Sequence, residues 1–253
     1  MALNNEVVNQ VTEYVDDWLV RKMASYRRET ANMPFLSRII REASLISAYS
    51  KTQSLLTDIG QNVYENISAI IARPNFDEVE LKRRVPEEIS VLRRNLITRI
   101  KEDLQTGNRE ADRQTEINEI LAIPHDPTEH SIPQPKVIDV YVRRRTDEWF
   151  FDLKTVKLNL DGEPKFKEQL LQWIARENRE INAMMVFPYN PYEPEPFETR
   201  FTMRGILGRN EYMVGQEYWD FLGGPGAYPQ VLSIFDQVGR KHWNELIHLM
   251  TGN

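Results

Sequence analysis

The first 120 residues carry apolar positions at helical spacing. Val7, Val11, Tyr14, Val15 and Leu19 share one face, as do Leu36, Ile39, Ile40, Ala43 and Ile46. Residues 58–72 predict another helix, with Val63, Ile67, Ile70 and Ile71 on one side. Ile89, Leu92, Leu96 and Ile100 predict a fourth, with Pro86 early, where a helix tolerates proline. Residues 124–135, PHDPTEHSIPQP, hold four prolines and no periodicity, so they read as a loop.

Beyond that loop the pattern changes. Val137, Ile138, Val140, Tyr141 and Val142 are β-branched or aromatic and predict a strand. RRRTDE then makes a polar turn, and residues 149–156 a second strand. A helix is expected from about Pro164 to Glu180, with Phe166, Leu170, Trp173, Ile174 and Ile181 on one side. The apolar run 183–187 suits a strand covered on both faces. Strand, helix and buried strand make a parallel crossover unit. A strand near 199–207, a loop rich in Gly and Pro (GGPGAY) and a final helix from about 228 to 249 complete the chain. The expectation is one α/β domain over 1–253. Residues 1–120 form a mostly helical layer, 136–210 an α/β core on a mixed sheet, and 211–253 a C-terminal loop and helix.

Composition narrows the chemistry. The 253 residues are 41% hydrophobic, enough for a core. Cysteine is absent, which excludes thiol chemistry and Cys-ligated metal sites. No apolar run approaches about 18 residues and the N-terminus is polar, so a cytoplasmic location is expected. The net charge of -6 argues against a nucleic-acid partner only if charge is spread evenly. Residues 82–113 hold nine basic against six acidic side chains, a pattern that also fits a solvated helix face. The four histidines have neither the spacing nor the setting of paired ligands, and no phosphate-cradling Gly loop is present.

The two strands around 137–156 hold the informative charges. Asp139 and Asp152 each interrupt an apolar strand, and Lys154 follows Asp152 by two residues, on the same face. A buried charge without a partner costs several kcal/mol, so these positions call for partners or a metal. Two carboxylates from neighbouring strands suit Mg²⁺, which prefers oxygen ligands. Lys154 would then orient or deprotonate the attacking water, or stabilise developing charge. Acid-x-Lys triplets also arise by chance in so charged a chain. Glu80-Leu81-Lys82 lies in a charged segment and Glu163-Pro164-Lys165 beside a loop proline; only Asp152-Leu153-Lys154 lies in an apolar strand preceded by another buried acid. A buried salt bridge is the plainer alternative for these residues.

Four blocks in order, FDLKTVKLN, KFKEQLLQWIA, FPYNPYEPEPFE and VGQEYWDFLGG, resemble the TdeIII/MjaII family of type II restriction endonucleases, which are PD-(D/E)xK enzymes. The resemblance spans roughly residues 55–240. It implies a restriction-endonuclease-like core with metal-binding and catalytic roles on Asp139, Asp152 and Lys154, and Mg²⁺ as cofactor. It also implies duplex DNA as substrate, cut at a short palindrome such as GGNCC or GGWCC. The literal Pro-Asp dipeptide is absent, because Val137 precedes Ile138-Asp139 and Pro135 lies upstream. Glu65, in a helix after Gly60, resembles the upstream helical acid that many of these nucleases use. Lys157, Asn159, Lys165 and Lys167 surround the catalytic strand and the next helix and are candidates for DNA contact, as are Arg200 and Arg204. Gln169 and Gln172 are placed to line the site. A palindrome suits a twofold homodimer, and host protection calls for a methyltransferase in the same system. Two rivals stay open: a structure-selective repair nuclease of the same fold, and a non-catalytic DNA-binding scaffold.

Overall fold

In the computed structural model, β2 (Val137–Arg144) and β3 (Asp147–Leu153) form an antiparallel hairpin. Arg145 turns the corner with a φ of 57°, and its amide donates to Asp77 Oδ2 at 2.6 Å. Helix α7 (Gly162–Glu177) then leads to β4 (Asn182–Phe187), which lies parallel to β3. The expected crossover unit is therefore present. β5 (Tyr212–Val214) runs parallel to β4, and β1 (Glu78–Arg84) pairs antiparallel with β2. The described residues thus build a mixed five-stranded sheet in the order β1-β2-β3-β4-β5, consistent with a restriction-endonuclease-like fold. Those residues are 3–26, 34–126, 137–154, 162–197 and 205–251.

Strand alternation sorts the core. Phe150 and Asp152 of β3 face one side, Trp149 and Phe151 the other. On the first side the Phe150 ring meets Tyr141 at 5.5 Å and Trp173 of α7 at 6.2 Å, centroid to centroid. On the second side Phe151 meets Tyr218 and Phe221 of α8 (Gln216–Gly223). Both faces are covered, which is why β4 reads as a continuous apolar run. Helices α5 (Val91–Thr106) and α6 (Arg113–Ala122) pack against α7. Arg93 of α5 is fully buried, but it donates to the carbonyls of Ile123 and Ala175 and to Asn178 Oδ1. These elements form one compact unit, residues 72–222.

The second unit comprises residues 1–71 and 223–253. It holds α1 (Asn5–Ser25), α2 (Leu36–Ile39), α3 (Ala43–Asp58), a π-helical turn at Ile59–Val63, α4 (Tyr64–Ala72), α9 (Ala227–Lys241) and α10 (Trp243–Thr251). Asn4 caps α1 by accepting from the Val7 amide at 2.9 Å, and Val7, Val11, Val15 and Leu19 are buried. α1 packs against α9 and α3 against α10. Asp58 accepts from Trp18 Nε1 at 2.8 Å and pairs with Lys22 at 3.4 Å. Phe35, Ile39, Leu45, Tyr49 and Leu56 are exposed along α2 and α3.

Several expected boundaries differ. The helix expected across 36–46 breaks where Ile40 and Glu42 take extended backbone. The final helix breaks at His242, whose ring bonds Asp16 at 2.9 Å. β1 is an additional strand, at the edge of the sheet. Most of the strand expected near 199–207 lies outside the described residues. No helix among the described residues is long and apolar enough to cross a membrane.

Candidate active site

Val140 pairs with Phe151 across the hairpin, so the next step brings Asp139 opposite Asp152. Directly opposed residues of an antiparallel pair share a face, with Cβ atoms about 5 Å apart. Asp152 is only 4% exposed. Its Oδ1 accepts from Gln169 Nε2 of α7 at 2.7 Å, and its Oδ2 forms an ion pair with the Lys154 ammonium. Asp139 Oδ2 accepts from the Leu153 amide at 2.8 Å. Lys154 stands just past the end of β3, where its amide donates to Val186 O of β4 at 2.8 Å. Its ammonium lies 5.7 Å from the centroid of the Phe166 ring on α7.

The electrostatics follow from this crowding. Burial pushes the Asp152 carboxyl above its ordinary range; the Lys154 charge opposes that shift, and the Asp139 charge adds to it. Two carboxylates on one face, one of them buried, are an oxygen donor set suited to a hard divalent cation. Among the described residues no group of three or more His, Asp or Glu side chains comes together at a candidate metal site. Magnesium commonly binds through one or two carboxylates, with waters and phosphate oxygens completing its shell. The residues present therefore fit such an ion.

Lys82, outside the expected site residues, also reaches this face. Its ammonium lies 3.0 Å from Asp139 Oδ1. The chain is matched over residues 3–239 by the family model described as "Type II restriction endonuclease, HinfI". The chain belongs to the HinfI family of type II restriction endonucleases. It is accordingly a site-specific deoxyribonuclease with DNA as its substrate, and type II restriction endonucleases generally use a divalent metal ion. Two curated relatives from Herpetosiphon aurantiacus, the type II restriction enzymes HgiEI and HgiBI, are 22% and 21% identical to it. Each alignment covers 94% of this chain and 95% of the relative. A third from the same organism, type II restriction enzyme HgiCII, is 26% identical over 43% of this chain and 42% of its own length. No solved structure matches. The four blocks resembling the TdeIII/MjaII enzymes lie inside the stretch matched by the HinfI family model.

The other expected residues fall in different places in this HinfI-family chain. Lys167 is corrected: it is fully buried on α7, where Glu211 takes its ammonium at 2.6 and 2.7 Å and Glu116 closes the cluster. A side chain so enclosed reaches no phosphate. Lys165 is exposed on the first turn of α7. Gln172 donates to Glu168 at 3.0 Å rather than to either aspartate. Glu65 is buried on α4, in the unit formed by residues 1–71 and 223–253. Lys157, Asn159, Arg200 and Arg204 lie outside the described residues.

Proposed function

We propose that this HinfI-family enzyme hydrolyses both strands of duplex DNA by Mg²⁺-dependent PD-(D/E)xK chemistry, with Asp139, Asp152 and Lys154 as its catalytic residues. The observation that supports this most is the opposition of Asp139 and Asp152 on one sheet face, with the Lys154 ammonium against the buried Asp152 carboxylate. When bound, a divalent cation supplies Lewis-acid polarisation of the phosphodiester and a more acidic water. The two aspartates would hold that cation. Gln169 and the Leu153 amide fix the carboxylates by occupying one oxygen of each. Lys154 places its ammonium against the buried carboxylate, where it is positioned to stabilise charge developing on the phosphate.

The finer target is carried by the resemblance to the TdeIII/MjaII enzymes: a short palindrome of the form GGNCC or GGWCC. A twofold site suits a homodimer with one active site per strand. The exposed apolar residues of α2 and α3 are the kind of surface a subunit contact would cover. Glu65 enters as the upstream acid on the resemblance alone, and Glu65→Gln tests that role by its effect on cleavage. Purified enzyme with Mg²⁺ should cut plasmid DNA into discrete bands. Asp152→Ala and Lys154→Ala should each reduce cutting at least ~100-fold while duplex binding survives. A smear from the wild-type protein, or full activity in both variants, would overturn the assignment.

A further inference from the structure

We propose that Lys82 is a second active-site lysine, which occupies Asp139 in the metal-free enzyme and contacts a DNA phosphate once a divalent cation has displaced it. The inference rests on the reading of Asp139 as a metal ligand.

Three observations carry it. The first is competition for one atom. Asp139 Oδ2 is engaged by the Leu153 amide at 2.8 Å, which leaves Oδ1 as the oxygen for another partner. Lys82 Nζ lies 3.0 Å from that oxygen. A cation held by Asp139 would therefore compete with the Lys82 ammonium for that carboxylate.

The second observation is the backbone. Lys82 takes a φ of 55°, the left-handed region that a residue bearing a Cβ seldom adopts within a strand. The β1–β2 register runs through Leu81 opposite Val140 and resumes with Arg83 opposite Ile138, passing over Lys82. Regular alternation would send Lys82 and Arg83 to opposite faces. Yet Arg83 lies over the Tyr141 ring at 3.9 Å and near Phe150 at 5.8 Å, on the face that Lys82 shares with Asp139. The unshifted register already sets Lys82 opposite Asp139, and with the local distortion Arg83 reaches that face as well, so two consecutive basic side chains stand beside the aspartates. Unfavourable backbone of this kind concentrates at functional sites.

The third is the contrast between the two lysines. Asp152 is paired with Lys154 and Asp139 with Lys82, so each carboxylate facing the other is balanced by one ammonium. The Lys154 side chain is 29% exposed and that of Lys82 is 52% exposed, on an edge strand. Lys82 is the more exposed of the two ammonium groups. A divalent cation takes over its electrostatic role at Asp139, and the released ammonium then stands at the mouth of a site built for a phosphodiester. Lysine contacts to phosphate position a protein on duplex DNA without reading its sequence.

The test uses full-length protein and two readouts other than cleavage. Mg²⁺ is titrated by calorimetry into DNA-free wild type, Lys82→Met and Asp139→Asn. Lys82→Met should bind Mg²⁺ about two- to fivefold more tightly, the scale of one exposed ion pair. Asp139→Asn should lose most of the binding. Duplex DNA is then titrated with Ca²⁺ in place of Mg²⁺ at several salt concentrations. Lys82→Met should bind more weakly, with a log–log salt slope smaller by about one, and Lys82→Arg should restore the slope. If Asp139→Asn loses Mg²⁺ binding while Lys82→Met changes neither the Mg²⁺ affinity nor the slope, the Lys82 proposal is overturned and the ligand assignment stands. If only one of the two expected changes is seen, the displacement model is also overturned. If Asp139→Asn binds Mg²⁺ as wild type does, the assignment of Asp139 fails first, and the Lys82 proposal falls with it.

Discussion

Asp152 is buried with one oxygen held by Gln169 and the other beside Lys154, so its orientation depends on neighbours that do not themselves react. Groups that orient a metal ligand typically change metal affinity or activity by about 10–100-fold when removed. Gln169→Ala should accordingly slow cleavage by that factor while duplex binding in Ca²⁺ stays within about twofold of wild type; equal losses in both assays would make Gln169 a DNA contact instead. Lys82 offers a second test at this scale. Its left-handed backbone costs about 1 kcal/mol relative to glycine, so Lys82→Gly should raise the urea midpoint even as it removes the phosphate contact. A lowered midpoint would show that the ion pair with Asp139 outweighs the backbone cost. Asp139, Asp152 and Lys154 stand out in the sequence because charges inside apolar strands need a reason. Lys82 does not, because its meeting with Asp139 depends on the pairing of the edge strand β1 with β2, which the residue pattern of 78–84 does not announce.

Between elements, the same limits decide what was legible. The hairpin, the crossover helix and β4 follow from alternation and periodicity in residues 137–187. The pattern of α7 suggests one buried stripe and leaves Lys167 a candidate for DNA contact, whereas β4, α5 and α6 all pack on that helix. The flank of that stripe is thus interior as well, and there Lys167 joins Glu116 of α6 to Glu211 in the turn before β5. Burial pushes the Glu116 carboxyl upward while Lys167 opposes the shift. Lys167→Ala would leave two buried carboxyls facing each other and should cost about 3–5 kcal/mol, measured by chemical denaturation; a loss below about 1 kcal/mol would contradict a buried cluster. In the other unit, burial pushes Asp58 up, but its bonds from Trp18 and Asn62 and the Lys22 charge prevail, leaving the carboxyl below its ordinary value. A depressed carboxyl contributes stability above the unfolded-chain pKa and loses it as pH falls through the folded value. Asp58→Asn should therefore destabilise at pH 7 by about 1–2 kcal/mol, with the gap from wild type closing below about pH 4. A gap independent of pH would contradict an ionised Asp58.

For the molecule as a whole, the -6 charge takes on a definite meaning. Much of the basic run at 82–113 is spent internally. Arg93 serves buried carbonyls, Lys101 pairs with Glu168, Arg109 with Glu119, and Arg113 donates to Ile181 O. These four serve the scaffold more than a DNA-binding surface, so little non-specific attraction is expected from them. A twofold target also predicts a dimer: sedimentation at micromolar concentration should give twice the chain mass, and a monomer that still cuts both strands in one event would contradict it. The central claim, that Asp139, Asp152 and Lys154 make a sequence-specific DNA-cleaving site, is tested most directly by mapping fragment ends. Wild type and Asp152→Ala are incubated with Mg²⁺ and a DNA of known sequence, and the ends are read out. Wild-type ends should fall at one short palindrome throughout, and Asp152→Ala should leave the DNA intact. Cleavage by Asp152→Ala at the same palindrome would place the chemistry elsewhere in the molecule.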